Sequence, residues 1–435
     1  MTGRWLHVFG VPQISATALG AFRAILGASL FLIVLTHPIQ AVPVDAQRVY
    51  SPIAGLASVR WLAASGTATW TVHGVALAAA AAFALGLHAR ASYCALVAAL
   101  FVRTLFILLQ AGAHDWGTPL LSLMALMVVP WGEAPPLAAV VRQWGSGDSK
   151  RSRVYGFAVW LPGLTMGLAF AAAALEKLRR SGVEWVTDGA VRYHFVEDAA
   201  NAPFDLGLWV ATQPRLAVAL SLFGILVEAL FVGVVFVRAW KARAAFGLAA
   251  AALLCGFWVF QGIHWWPWLL LLAAFFPWDR TSQRVPDTGS LGAVHGLIVA
   301  MLVAGQIWAS YRRVEIEPLF SHYPMYSGSY ASPADYEHAH EQLFFRANGT
   351  DITDRIRAVN GSGVISRALE RANVAVDASD EIRQSLTELR KRYAGAYGEA
   401  PDTVDAFLFK RPFDWEAGHF RPEVLEPLGT VQLAH

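Results

Sequence analysis

Long stretches in which nearly every position is apolar, broken by short polar or glycine- and proline-containing gaps, run through the first three quarters of the chain. A helix needs roughly 20 apolar residues to cross a bilayer core. Such segments fall near 15–36, 69–87, 92–110, 117–131, 154–175, 214–237, 244–262, 265–278 and 291–310. The fourth and eighth are short, as expected of tilted, re-entrant or neighbour-protected helices. From about residue 314 the pattern changes: apolar runs stop and charges appear throughout. Within that region, 343–346 followed by Asn348-Gly349 reads as a strand entering a tight turn. Residues 380–393, with Ile382, Leu386 and Leu389 at helical spacing, read as an amphipathic helix, and 406–410 as another strand. The expected fold class is therefore an all-α polytopic membrane bundle of about nine transmembrane helices (1–313) with a small C-terminal α+β domain (314–435).

Composition supports a membrane protein over a soluble one, with 56% hydrophobic and 15% charged residues and a mean hydropathy of +0.43. A net charge of +2 gives no reason to expect a nucleic-acid partner. The two cysteines, Cys94 and Cys255, both lie in apolar runs, where they read as small packing residues. The first apolar segment lacks a small-x-small cleavage site, so it reads as a retained helix. A cytoplasmic N-terminus then places Arg4, Arg90, Arg142, Lys150, Arg151, Arg153, Arg238, Lys241, Arg243, Arg280 and Arg284 on one side. The other side receives the fewer cations Arg48, Arg60, Lys177, Arg179, Arg180 and Arg192. The expected location is the inner or plasma membrane, with the C-terminal domain extracytoplasmic. Asn348-Gly349-Thr350 and Asn360-Gly361-Ser362 match the glycosylation pattern and read more economically as turns.

An ionisable side chain at membrane depth costs at least ~2.5 kcal/mol, which makes the few present informative. Arg23, Arg103 and Glu228 lie within apolar segments, His114 and Asp115 open the fourth, and His264 sits between the seventh and eighth. Glu228 could be neutralised by Arg23 or Arg103, holding the bundle together. Lys177 ends an apolar helix, where its stem can lie in the bilayer while the amine snorkels to the interface; partly desolvated, the same amine can serve as a base. The aromatic segments Phe320-Ser-His-Tyr-Pro-Met-Tyr326 and Trp265-Trp266-Pro267-Trp268 suit a membrane interface. His322, His338 and His340 lack metal-ligand spacing and read as solvated loop histidines, so no metal is expected.

At Ala174-Leu-Glu176-Lys177-Leu178, followed by Trp185, Gly189 and Tyr193, the sequence resembles the vitamin K-dependent γ-carboxylase-like family, whose membrane part is also called the HTTM domain. Phe22-Arg23 with Gly27, Leu85-Gly86-Leu87 with Arg90 and Ser92, and Glu228 look like further family landmarks, over roughly residues 15–330. The resemblance implies a cytoplasmic N-terminus and chemistry that uses a reduced quinone, oxygen and carbon dioxide. A base removes the hydroquinone proton, oxygenation creates a stronger base, and that base deprotonates a substrate glutamate. It implies Lys177 as the initiating base and His114, before Leu120-Leu121, as its assistant, with Arg23, Arg103, Glu228 and Trp185 organising the cofactor cavity. Membrane lipid, quinone and a secreted protein substrate are the implied partners. The chain departs from the family in three places. Glu176 stands where the family has a paired lysine, Cys255 lies near the family's histidine position at Leu254, and the C-terminal domain is much smaller.

Two functions follow. One is a quinol-dependent carboxylase-like enzyme; the other is a non-catalytic protein that binds lipid or quinone or assembles a secreted partner. A transporter ranks last, because no inverted repeat or pair of broken helices is evident.

Overall fold

The computed structural model describes residues 9–43, 60–109, 114–144, 150–278, 291–316, 319–323, 326–373 and 380–433. It divides into two compact units, one formed by Met1–Gly207 with Pro214–Ser329 and the other by Leu208–Gln213 with Tyr330–His435. The divide falls after Ser329, later than the change of composition at residue 314, because the segment up to Gly328 is hydrogen-bonded to the helices of the first unit.

Helices dominate the first unit: α1 (Ala16–Thr36), α2 (Gly66–Leu85), α3 (Ala89–Leu108), α4 (His114–Ala125), α5 (Arg153–Ser181), α6 (Pro214–Leu230), α7 (Trp240–Gln261), α8 (Trp266–Leu269) and α9 (Ala293–Arg312). Among the described residues, seven stretches are long and apolar enough to cross a membrane: α1, α2, α3, α5, α6 with its 3₁₀ extension to Phe236, α7 and α9. Two shorter apolar helices, Asp115–Val128 and Trp266–Phe275, occupy the fourth and eighth expected segments. Several helices remain apolar on their outer faces, with Leu32, Leu248 and Leu297 all exposed. A helix apolar all round requires an apolar surrounding, and the chain is a membrane protein.

Local chemistry fixes the helix ends. Ser15 caps α1 by accepting from the amide of Ala18 at 3.0 Å, and Ser152 caps α5 by accepting from Val154 at 3.1 Å. Gly86 ends α2 in the left-handed region (φ 82°), turning the chain straight into α3. Arg23 lies beneath that turn, fully buried, and donates to the carbonyl oxygens of Ala134 at 3.0 Å and Pro135 at 2.7 Å. A Cβ at position 86 would run into the Arg23 guanidinium, so the glycine is needed twice over. Around this point Phe22, Phe83, Tyr93 and Trp131 pack ring against ring, and the Tyr93 hydroxyl donates to Leu123 at 2.7 Å.

Not every cation counted in the loops is at the surface. Arg243 lies buried in α7 and donates to the Val159 carbonyl at 2.9 Å, and Arg151 is buried in the two-residue strand pair that joins 14–15 to 151–152. Both cysteines are free.

The second unit holds an antiparallel four-stranded sheet of β1 (Gln342–Ala347), β2 (Thr350–Asp351), β3 (Thr403–Lys410) and β4 (Val424–Gln432), in the order β2-β1-β3-β4. Asn348 and Gly349 both take positive φ, as a two-residue hairpin demands. The helices Ser362–Asn373 and Asp380–Tyr397 bury Ile365, Leu369, Leu386 and Leu389 against Phe345, Val404 and Val431 of the sheet. His338 pairs with Glu341, and His340 bonds the Tyr336 carbonyl.

Close helix approach depends on small residues. A Cβ on Gly27 of α1 would lie 2.8 Å from the backbone of Ala84 in α2, whereas Gly74 of α2 faces open space. Gly27→Ala should destabilise the purified protein by about 1–3 kcal/mol, while Gly74→Ala should be neutral or slightly stabilising. Thermal unfolding in detergent measures both.

Candidate functional site

The C-terminal part of α5 carries a row of alanines and then Glu176 and Lys177, both buried. Consecutive residues on a helix point about 100° apart, and these two take different partners. Glu176 receives a forked pair of hydrogen bonds from Arg313, at 2.8 Å and 3.2 Å, which ties the end of α5 to the residue just after α9. Lys177 turns to α6, where its Nζ donates to both carboxylate oxygens of Glu228 at 2.6 Å and 2.7 Å. Each of the two residues is only 4% exposed. The amine therefore does not snorkel. Glu228 is neutralised by Lys177, not by Arg23 or Arg103 as the sequence suggested. Arg23 serves two carbonyls beneath the α2–α3 turn, and Arg103 serves the carbonyl of His37.

Beyond α5, Gly182 (φ 61°) and Gly189 (φ 63°) let the chain double back through the short helices Glu184–Thr187 and Val191–Glu197. A Cβ on Gly189 would press within 3.0–3.1 Å of Ala217 and Val218, so the bare glycine brings this turn against α6. Trp185 is thereby placed with its ring centroid 5.1 Å from the Lys177 ammonium. Its indole N–H donates to the carbonyl of Tyr326 at 2.8 Å. The next two carbonyls are held as well: Ser181 Oγ donates to Ser327 at 2.7 Å, and His194 Nε2 lies 3.1 Å from the oxygen of Gly328. Three side chains from the α5 end and the following turn thus hold three consecutive carbonyls of one strap. Tyr326 takes a left-handed backbone (φ 56°), which non-glycine residues adopt only when their surroundings impose it.

Two apolar cavities, about 100 Å³ and 50 Å³, lie on either side of the ion pair. Lys177, Glu228, Phe257 and Tyr326 line both, so these four residues form the partition. Trp185, Phe223 and Phe260 wall the larger, and Phe170, Trp265 and Trp268 the smaller. Leu254 lines the smaller cavity, while Cys255 is exposed. Beside Tyr326, Asp198 accepts from Gln261 at 2.8 Å and faces the tyrosine hydroxyl. Burial holds the Asp198 carboxyl above the usual carboxylate range, and burial together with Asp198 pushes the Tyr326 phenol up.

Of the residues expected from sequence, Lys177, Glu228 and Trp185 come together, whereas Arg23 and Arg103 stand elsewhere. His114 opens α4, and its side chain lies outside the described residues. Tyr326, Asp198, Gln261 and Phe257 were not anticipated. The available signal was Tyr326 itself, in an aromatic segment read as interfacial. Among the described residues, no three His, Cys, Asp or Glu side chains are gathered as a metal set. No family model, curated protein or solved structure matches the chain.

Removing one member of a buried ion pair strands the other, at about 3–5 kcal/mol. Lys177→Met and Glu228→Leu should each lower the unfolding midpoint strongly, and the double variant should be more stable than either, measured by thermal unfolding in detergent. Asp198 adds a pH dependence. A raised folded-state value means that its contribution to stability is full below the ordinary value of about 3.9 and is lost as pH rises through the raised one. Asp198→Asn should flatten the stability profile from pH 4 upward.

Proposed function

We infer that this chain is a membrane enzyme acting on a lipid-soluble quinol, akin to the vitamin K-dependent γ-carboxylase-like family. In this reading it has about nine spans, a cytoplasmic N-terminus and an extracytoplasmic C-terminal unit. The observation that carries it is the water-excluded Lys177–Glu228 pair, opening on both sides into aromatic-walled cavities at the end of a long apolar helix.

The donor set suits the head group of a reduced quinone: aromatic walls for the ring, one amine and one carboxylate for a hydroxyl, and apolar helices around a hydrocarbon tail. Neither cavity alone reaches the ~300 Å³ usual for small-molecule sites. A ring would therefore occupy the space on both sides of Phe257 and Tyr326, with these side chains turned aside. When bound, a reduced quinone would supply the acidic hydroxyl and, with oxygen, the strong base that takes a proton from a substrate glutamate before carbon dioxide adds.

The chain's own part is proton handling. The pair shares one exchangeable proton. With it on Lys177 the two groups are an ion pair; with it on Glu228 the amine has a free lone pair able to accept a hydroxyl proton. Trp185 steadies the resulting ammonium through its ring face, and the strap at 326–328 keeps water out. His114, at the start of α4, retains the assisting role that the resemblance implies.

Loss of a general base costs ~10²–10⁴-fold in rate. Lys177→Ala should abolish formation of carboxyglutamate on secreted proteins, read as added carbon dioxide by mass spectrometry in strains with and without the gene. Quinone should be extractable from the protein purified in mild detergent. An unchanged carboxyglutamate profile with lipid or quinone still bound would favour the non-catalytic binding protein.

A further inference from the structure

The larger cavity at Lys177 is a gap between two long apolar helices. Its wall includes Leu220, Gly224 and Glu228 of α6 and Ala252, Gly256 and Phe260 of α7. Each set falls at i, i+4 and i+8, which is one face of a helix, so α6 and α7 present these faces to the same space. Small residues on facing membrane helices ordinarily let the backbones meet, as Gly27 does against Ala84. Between α6 and α7 they do not. Outside its own helix backbone, a Cβ on Gly224 would meet nothing nearer than Trp185 at 3.9 Å, and one on Gly256 nothing nearer than the Phe260 ring at 3.9 Å. The looseness is local, because about two and a half turns earlier on α7 a Cβ on Gly247 would lie 2.6 Å from Phe275.

The gap reaches the outside of the bundle. Phe223 and Ala252, which line it, are both exposed, Phe223 to 41%. By contrast, every residue lining the smaller cavity is buried or half-buried. The wall that holds Phe223 and Ala252 also holds Lys177 and Glu228, each only 4% exposed. One space therefore runs from outward-facing apolar side chains to a water-excluded ion pair. Both helices are long and apolar enough to cross the membrane, so what lies against Phe223 and Ala252 is hydrocarbon, and neither residue offers a polar group to guide a water-soluble molecule inward. An unfilled gap forfeits contacts on both helices. A hydrocarbon chain is the occupant that these surroundings provide and these walls accept.

We propose that the space between α6 and α7 is a lateral doorway and chain-binding groove. A lipid-soluble ligand enters from the bilayer with its head leading towards Lys177, and its hydrocarbon chain comes to lie over Gly224, Ala252 and Gly256, which set the width open to the chain. The proposal deepens the reading of the Lys177 pair as a quinol site and rests on that reading for the identity of the head group. The doorway itself rests on the geometry of α6 and α7.

The test uses the full chain in nanodiscs, with quenching of tryptophan fluorescence read against quinone per lipid. Menadione and phylloquinone carry the same naphthoquinone head, and only phylloquinone carries a long chain. Gly256→Leu and Ala252→Phe each narrow the groove from α7. Gly256 has room for a side chain, Ala252 is exposed, and leucine is a better helix former than glycine, so thermal unfolding should show each variant to be as stable as the wild type. Either one carries the test if the other fails to fold. The wild type should bind both quinones saturably, and the variants should bind phylloquinone about tenfold more weakly, as overpacking does, with menadione binding unchanged. A photoreactive long-chain alcohol, which has a chain and no quinone head, separates the two readings. Its labelling of residues 220–224 and 252–260 should fall about tenfold in the same variants. If neither quinone binds the wild type while this loss of labelling is seen, the quinol reading fails and the doorway stands. Folded variants that bind phylloquinone as the wild type does, that lose menadione equally, or that are labelled at the wild-type level would overturn the doorway.

Discussion

One ammonium and one carboxylate, both withdrawn from water and bonded only 2.6–2.7 Å apart, set the terms for this bundle. Neither charge is tolerable there alone, so α5 and α6 must meet with positions 177 and 228 in register. Hydrophobic packing is non-directional and would accept other alignments of two apolar helices; the ion pair accepts very few. What surrounds it follows from the same constraint. Trp185 covers the amine, its indole fixes the strap at Tyr326, and Ser181 and His194 hold the next two carbonyls. Each contact removes a route by which water could reach the pair and weaken it.

Most of the architecture was legible in the chain, because membrane spans announce themselves by length and apolarity. The seven long helices and both shorter ones fall where apolar runs predicted them, and the Asn348-Gly349 hairpin of the second unit is where its turn chemistry put it. Strand and helix ends were less legible: β3 begins at Thr403, earlier than the apolar 406–410 run, because strand pairing with β4 extends past the hydrophobic residues. The site was legible residue by residue but not as a constellation. Lys177 and Glu228 each stood out by cost, yet 51 positions separate them and nothing local says which cation meets which anion. Arg103 and Arg23 were equally plausible partners until backbone carbonyls were seen to claim them. Asp198 and Gln261 lie at the ends of elements, where polar residues are ordinary and carry no signal.

The landmarks behind the family resemblance divide into two kinds once placed in space. Arg23 with Gly86, and Gly189 against α6, are packing solutions: a large buried cation that needs a bare backbone above it, and a turn that must lie flat on a helix. Lys177, Trp185 and Glu228 are of the other kind, since besides holding α5 against α6 they line the two cavities. The first kind bears on how this chain folds. The second kind bears on what it does.

Glu176 illustrates how closely the two kinds are interwoven. It stands beside Lys177 on the same helix, yet its forked bond to Arg313 belongs to a different helix pair. The four side chains therefore alternate in sign, with Arg313, Glu176, Lys177 and Glu228 meeting through a single turn of α5. A lysine at position 176, as in the family pattern, would place two cations face to face at Arg313. Positions 176 and 313 should therefore vary together among relatives, as a charge register set independently of the pair beside it.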